Sequence, residues 1–262
     1  MKMIMSDVLK NRDAVPRDLA TLIDMQAAAK PEALAIIAPI GRLTYGAVST
    51  MISRIAAGLA STGLKPGDNV AVTLGKNVPE LLTILALSRI GCTACIRFGM
   101  SNLEQVDVAA CIHADDTKLM GPRPILFDPA WLEQAPDAAK AEQWPAVPEG
   151  RPVIYTTSSG STGWPKVIPC SMERLYHAVF DSLHHPSHEP TLSPCLVSLG
   201  VGSLWGFRQF LTLLWSGGTV MLGGIHATTA SQFRHAGIRH IVASTSQLYS
   251  WLTVARENPG FF

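Results

Sequence analysis

The stretch Val153–Pro169, "VIYTTSSGSTGWPKVIP", gathers the residues of this chain best suited to holding an anion. Hydroxyls at Thr157, Ser158, Ser159, Ser161 and Thr162 can donate hydrogen bonds to oxygens carrying negative charge. Gly160 and Gly163 let backbone N–H groups approach such oxygens without Cβ obstruction. Lys166 brings a full positive charge to the exit. The chemistry predicted is a cradle for phosphate oxygens, and the plainer alternative is a flexible Gly/Ser turn. Trp164 and Pro165 separate Gly163 from Lys166, so this is not G-x-x-x-x-G-K-[ST]. Nor is it the dinucleotide pattern G-x-G-x-x-G. A nucleophile elbow fails as well, because Ser161 has Gly163 two residues after it but Ser159 two before. A hydrolase is therefore a weak alternative.

The loop must be positioned by the β-branched runs on either side, "VIYTT" and "VIP", read as a strand and a short return strand. Upstream, Val48, Met51, Ile52, Ile55, Ala56 and Leu59 fall at helical spacing, with Thr44 as N-cap and Gly63 as terminator. "KPGD" is a turn and "NVAVTL" alternates as a half-buried strand. "PELLTILALSRIG" is a second helix with a broad apolar face, and "CTACI" is a strand. Ser101 and Glu104 form a capping box that predicts a helix through Ile112. Pro122 to Pro152 reads as a surface connection. Ser171 caps a helix from about Met172 to Leu183. The strand "CLVSL", a helix from about Leu204 to Trp215, the strands "TVML" and "IRHIVA", and a helix from about Ser246 follow. Strands spaced by helices predict an α/β fold with sheets covered by helices.

Composition excludes several partners. A net charge of +1 without basic blocks argues against nucleic acid, which needs clustered Lys and Arg. The first residues hold no apolar run long enough for a secretory signal. Cys195–Leu222 is almost wholly apolar, but Arg208 and Gln209 interrupt it and glycines divide it into strand, helix and strand lengths. It is read as buried, with no membrane span. Five cysteines without a signal point to free thiols and a cytoplasmic location. Cys92 and Cys95 form a lone C-x-x-C and are read as buried, on opposite faces of a strand. His184, His185, His188 and Glu189 cluster, but Pro186 breaks the helix that metal-ligating histidines would need. No metal site is expected from the protein's own side chains. His113, His226, His235 and His240 support no triad.

"SSGSTGWPK" closely resembles the phosphate-binding signature of the adenylate-forming superfamily of acyl-CoA synthetases, luciferases and peptide-synthetase adenylation domains. Weaker parallels run from about Leu43 to the end: "LTY" before a helix, the "GD-V-A" strand, the "N-PE" helix, and "SGGTVML" and "IRHIVASTSQLYSWL". The resemblance implies an incomplete N-terminal domain of an adenylate-forming enzyme, with two helix-flanked sheets in layers. One lobe would cover about 66–190 with the loop at 157–166, and the other about 15–65 plus 191–262. It further implies an ATP-dependent ligase that joins a carboxylic acid to the α-phosphate of ATP, releases pyrophosphate and passes the acyl group to a thiol. That thiol belongs to CoA or a phosphopantetheine carrier, and Mg2+ accompanies the nucleotide. The triphosphate contacts would fall on Thr157, Ser158, Ser159, Gly160, Ser161, Thr162, Gly163 and Lys166.

Three departures qualify the resemblance. The family's adenine, ribose and catalytic-lysine motifs do not occur before Phe262. These residues alone are therefore expected not to form acyl-adenylate at a useful rate, and the catalytic residues are expected beyond them. A sheet cut open mid-domain would expose an edge and favour oligomers. Where many acyl-CoA synthetases carry a Pro-Leu-Phe-His-like stretch, this chain reads "SLGVGSLWGF". Ser203 falls near the histidine, with Trp205 and Gly206 beside it as candidate acyl-pocket residues. Fatty-acyl specificity is disfavoured there, and small or aromatic acids are admitted. Val167 follows Lys166 where the family has glycine, stiffening the exit. A non-catalytic nucleotide- or phosphate-binding module is the standing alternative.

Overall fold

The computed structural model describes residues 7–75, 77–96, 102, 105–115, 121–133, 144–145, 147–148, 150–158, 165–185, 194–222 and 236–257. Helices form where apolar spacing meets a cap. α1 (Thr21–Ala29) follows Asp18, whose carboxylate accepts from the Ala20 and Thr21 amides at 2.8 and 3.0 Å. β1 (Leu34–Ala38) and β2 (Gly41–Thr44) make an antiparallel hairpin. α2 (Tyr45–Ser61) starts on Thr44, whose hydroxyl accepts from the Ala47 amide, and stops before Gly63 at φ +81°.

A six-stranded sheet comes from the middle of the chain: β3 (Asn69–Thr73), β4 (Thr93–Ile96), β5 (Val108–His113), β6 (Pro124–Leu126), β7 (Ile154–Thr157) and β8 (Val167–Cys170). Its order is β6-β5-β3-β4-β7-β8, parallel except for the β7–β8 hairpin. α3 (Asn77–Arg89) crosses from β3 to β4 and is buried from Leu81 through Ser88. α4 (Met172–His184), capped by the Ser171 hydroxyl, leads into a second sheet. There β9 (Cys195–Val197), α5 (Leu204–Trp215), β10 (Val220–Leu222), β11 (His240–Val242) and α6 (Thr245–Glu257) follow. The five-stranded order β11-β9-β10-β1-β2 brings the first hairpin beside strands from far along the sequence.

One apolar core holds residues from both sheets and from α1 to α5, so those helices fill the layer shared by the sheets. The other face of the six-stranded sheet carries Ala71, Cys95 and Cys111 in one row. The other face of the five-stranded sheet carries Ile37, Leu196 and Met221 beneath Trp251 of α6. α6 leaves Leu248, Tyr249 and Leu252 exposed, with Ile241 half-exposed on β11.

Three expectations change. Val108–His113 is a strand rather than the end of a helix, because its apolar run is buried on both faces of a covered parallel sheet. The proposed caps Ser101 and Glu104 lie outside the described residues. "NVAV" does not alternate: Asn69 to Val72 are all buried, for the same reason. The Pro-rich connection is more than surface. It contributes β6 and a 3-10 turn at Pro129–Leu132, whose Trp131 lies against Gly58 of α2. A Cβ on Gly58 would sit 2.6 Å from the indole, so only glycine admits this contact.

The cysteines are free and buried, with Cys92 in the shared core and Cys95 on the outer face, as the spacing predicted. Among the described residues no helix is long and apolar enough to cross a membrane.

Candidate functional site

The loop read as a phosphate cradle is the turn of the β7–β8 hairpin. Thr157 pairs with Val167 at its base, and the Ser158 amide donates to the Lys166 carbonyl at 2.9 Å. Residues 159–164 lie outside the described residues, which takes in the expected contacts at Ser159, Gly160, Ser161, Thr162 and Gly163. β7 runs parallel to β4, so the hairpin turns at the carboxyl edge of the parallel strands, where open α/β sheets receive ligands. Thr156 points into the buried layer, whereas Thr157 and Ser158 are half-buried at the mouth and Lys166 is exposed. Among the described residues no carboxylate pairs with Lys166. An exposed ammonium on the strand facing Thr157 and Ser158 suits a phosphate group.

The same edge carries a second polar set. The Thr73 hydroxyl donates to the Ile112 carbonyl at 3.0 Å and lies 3.0 Å from His113 Nδ1. After β3, Glu80 accepts from the Gly75 amide at 3.0 Å. Burial pushes its carboxyl above the usual range, and the amide bond opposes that shift. "N-PE" marked this helix in the sequence, but the tie from Glu80 back to Gly75 was missed. An acid in a first turn is its only local signal.

At the carboxyl edge of the five-stranded sheet, the candidate acyl-pocket residues sit together at the start of α5. Ser203 is the N-cap: its hydroxyl accepts from the Gly206 amide at 3.0 Å and lies 3.1 Å from the Gly200 carbonyl, to which it donates. A Cβ on Gly206 would come within 2.6 Å of the Gly200 carbonyl, so the glycine lets that loop close on the helix. Trp205 is 47% exposed. Gln247, not singled out from the sequence, pins two loops of this edge. It donates to the Ser198 carbonyl at 2.9 Å and accepts from the Ser198 hydroxyl and the Ser244 amide, each at 2.9 Å. No local pattern announces such a bond between residues so far apart in sequence.

Among the described residues no group of His, Cys, Asp and Glu converges on a cation position. His184 stacks on Phe180 at 3.9 Å and contacts its carbonyl, while His188 and Glu189 lie outside the described residues, as do His226 and His235.

The parallel sheet, the hairpin at its carboxyl edge and the exposed lysine define an α/β fold with a polar loop where such sheets receive ligands. The chain belongs to the AMP-binding enzyme family, whose model matches residues 23–260. It is 31% identical over 190 residues to pseudomonine synthase PmsE of Pseudomonas entomophila, a match covering 60% of this chain and 31% of that protein. Acetyl-coenzyme A synthetase of Ralstonia pickettii is 26% identical over 135 residues, covering 48% of this chain and 19% of that protein. The chain thus spans less than a third of the length of these relatives. In fold it is similar to VinN in complex with L-aspartate, with a TM-score of 0.79 at 19% identity over 92% of this chain and 65% of that one. It is likewise similar to o-succinylbenzoate CoA synthetase of Bacillus subtilis with ATP and magnesium ion, with a TM-score of 0.76 at 18% identity over 88% and 51%. At these identities the likeness establishes the fold, which is the one the loop signature implied.

Proposed function

We propose that this chain holds the triphosphate of ATP at the β7–β8 hairpin. It does so as the N-terminal part of a ligase that adenylates a carboxylic acid and passes the acyl group to a thiol of CoA or a carrier protein. The observation that carries this reading is the exposed Lys166, paired with no carboxylate among the described residues, at the exit of a hairpin that bears Thr157 and Ser158 on the carboxyl edge of a parallel sheet. Thr157, Ser158, Ser159, Gly160, Ser161, Thr162, Gly163 and Lys166 are assigned to the phosphates. Negative charge grows on the pyrophosphate as it leaves the carboxylate–AMP adduct. Donors fixed around the β- and γ-phosphates bind that charge more tightly in the transition state than in the ground state. Magnesium would be carried through phosphate oxygens, in keeping with its preference for oxygen ligands and retained waters.

The lobe built on the six-stranded sheet, about 66–190, and that built on the other, about 15–65 with 191–262, would flank the cleft. Ser203, Trp205 and Gly206 are proposed for its acyl side, with a small or aromatic acid as the substrate class. Five buried free thiols suit a reducing compartment, which favours the cytoplasm. Titrating the chain with ATP and magnesium by calorimetry tests the reading. Saturable binding that Lys166→Ala weakens about tenfold or more is expected for loss of a charged hydrogen bond. Binding that survives the substitution unchanged overturns it.

A further inference from the structure

Two consecutive carbonyls at the hairpin's exit are held from opposite sides. The Lys166 carbonyl accepts from the Ser158 amide across the hairpin. The Pro165 carbonyl, one residue earlier, accepts from two side chains of the β4–β5 connection: Asn102 Nδ2 at 3.3 Å and Gln105 Nε2 at 3.4 Å. Asn102 is only 3% exposed, so its amide is a buried group with a fixed direction, whereas Gln105 is exposed. In an extended chain successive carbonyls point to opposite sides. Fixing both peptide planes around Lys166 therefore fixes its φ and ψ and the direction of its Cα–Cβ bond. The proline ring limits the backbone immediately before it, and Val167 stiffens the residue after it.

We propose that Asn102, seconded by Gln105, is a positioning residue for Lys166: by gripping the Pro165 carbonyl it sets where the lysine ammonium leaves the hairpin. The inference rests on the phosphate-binding reading for its consequence but not for its geometry. Neither side chain reaches the ligand in this proposal. Each acts on the peptide that precedes the lysine. Asn102 and Pro165 lie 63 residues apart in sequence, and the tie couples the β4–β5 connection to the loop across the sheet.

The test has two arms on the 262-residue chain. In the first, hydrogen exchange at the Ser158 amide is compared in the unmodified chain, Asn102→Leu and Gln105→Ala. Loss of one neutral hydrogen bond is expected to speed exchange about 3- to 10-fold in Asn102→Leu and less in the exposed Gln105→Ala. Unchanged exchange in both variants overturns the proposal whatever the chain binds. In the second, affinity for ATP with magnesium is measured in a double-mutant cycle of Asn102→Leu with Lys166→Ala. A positioning role predicts that Asn102→Leu weakens binding about 3- to 10-fold when Lys166 is present and less than about 2-fold when it is absent. An equal loss in both backgrounds marks a merely structural residue and refutes the role. Absence of ATP binding by the unmodified chain counts against the functional reading alone, and the exchange arm then decides the geometric one. If Asn102→Leu fails to fold, Gln105→Ala carries both arms, with acceleration and coupling in the same direction supporting the proposal and their absence refuting it.

Discussion

Tyr45 offers a measurable check on how α2 is joined to the turn between α5 and β10. Its ring is fully buried, and its hydroxyl lies 3.0 Å from the Leu214 carbonyl and 2.7 Å from the Gly218 carbonyl. Leu214 lies in the last turn of α5, where helix carbonyls lack intrahelical donors, and Gly218 in the turn that leads from it to β10. Lys30 adds its ammonium to the Gly217 carbonyl at 2.7 Å, and Gln26 donates to the Trp215 carbonyl at 2.8 Å. Tyr45→Phe keeps the ring and removes the shorter bond's donor, leaving the Gly218 carbonyl without it. A buried acceptor left unpaired costs about 1–3 kcal/mol. At about 2–4 °C per kcal/mol for a chain of this size, a midpoint near 2 kcal/mol lowers the melting temperature by about 4–8 °C. Scanning calorimetry at neutral pH reads the shift, with urea midpoints at unchanged slope as the second measure. A shift below about 1 °C would refute the reasoning that this hydroxyl ties α2 to the end of α5.

Gly58→Val should drive Trp131 off α2, destabilising the chain by about 1–3 kcal/mol through overpacking, with a change in tryptophan emission that a surface glycine substitution lacks. Ser203→Ala should lower stability by about 1 kcal/mol through loss of the α5 cap, and Ser203→Asp should recover most of it; failure of recovery in urea melts would argue against the cap. Burial pushes the Cys92 and Cys95 thiols up to about 12 from an ordinary 9, so both stay protonated in the folded chain while the unfolded thiols ionise. The folded state's advantage is whole below pH 9 and is lost as pH rises from there through 12, because the unfolded chain then binds fewer protons. Melting temperatures across that window should fall, less steeply in Cys95→Ala. The same burial predicts no rapid labelling by a thiol reagent at pH 8 until denaturant is added, and stoichiometric labelling within seconds would contradict it.

Elements whose signals are local were readable from the sequence. α5 runs from Leu204 to Trp215 as expected, because a serine cap, an apolar run and a Gly-Gly stop all agree. α2 and the β7–β8 hairpin follow for similar reasons. β5 misled because a strand buried on both faces loses the alternation that identifies strands, and Ser101 and Glu104 upstream supplied a persuasive helix start. β6 and Trp131 were hidden in proline-rich sequence: β6 is held by pairing with β5, and the Trp131 turn by Gly58 and by Arg54, which donates to the Leu132 carbonyl at 3.0 Å. The loop's chemistry was legible residue by residue. Its supports were not: Asn102 reaches Pro165 and Gln247 reaches Ser198 across spans that no window of sequence connects.

The pairing of β1 with β10 sets an order of events on the ribosome. Ile36 lies beside Val220 in parallel register, so the first hairpin has no partner strand until translation has passed that point. At about 5–20 residues per second the nascent chain waits on the order of 10–40 s with Leu34–Ala38 unpaired on that side. The strands that carry the hairpin turn, β3 to β8, all emerge within that interval. The phosphate-loop sheet can thus close while its companion is still waiting, and a chaperone that shields short apolar strands would find its substrate in Leu34–Ala38.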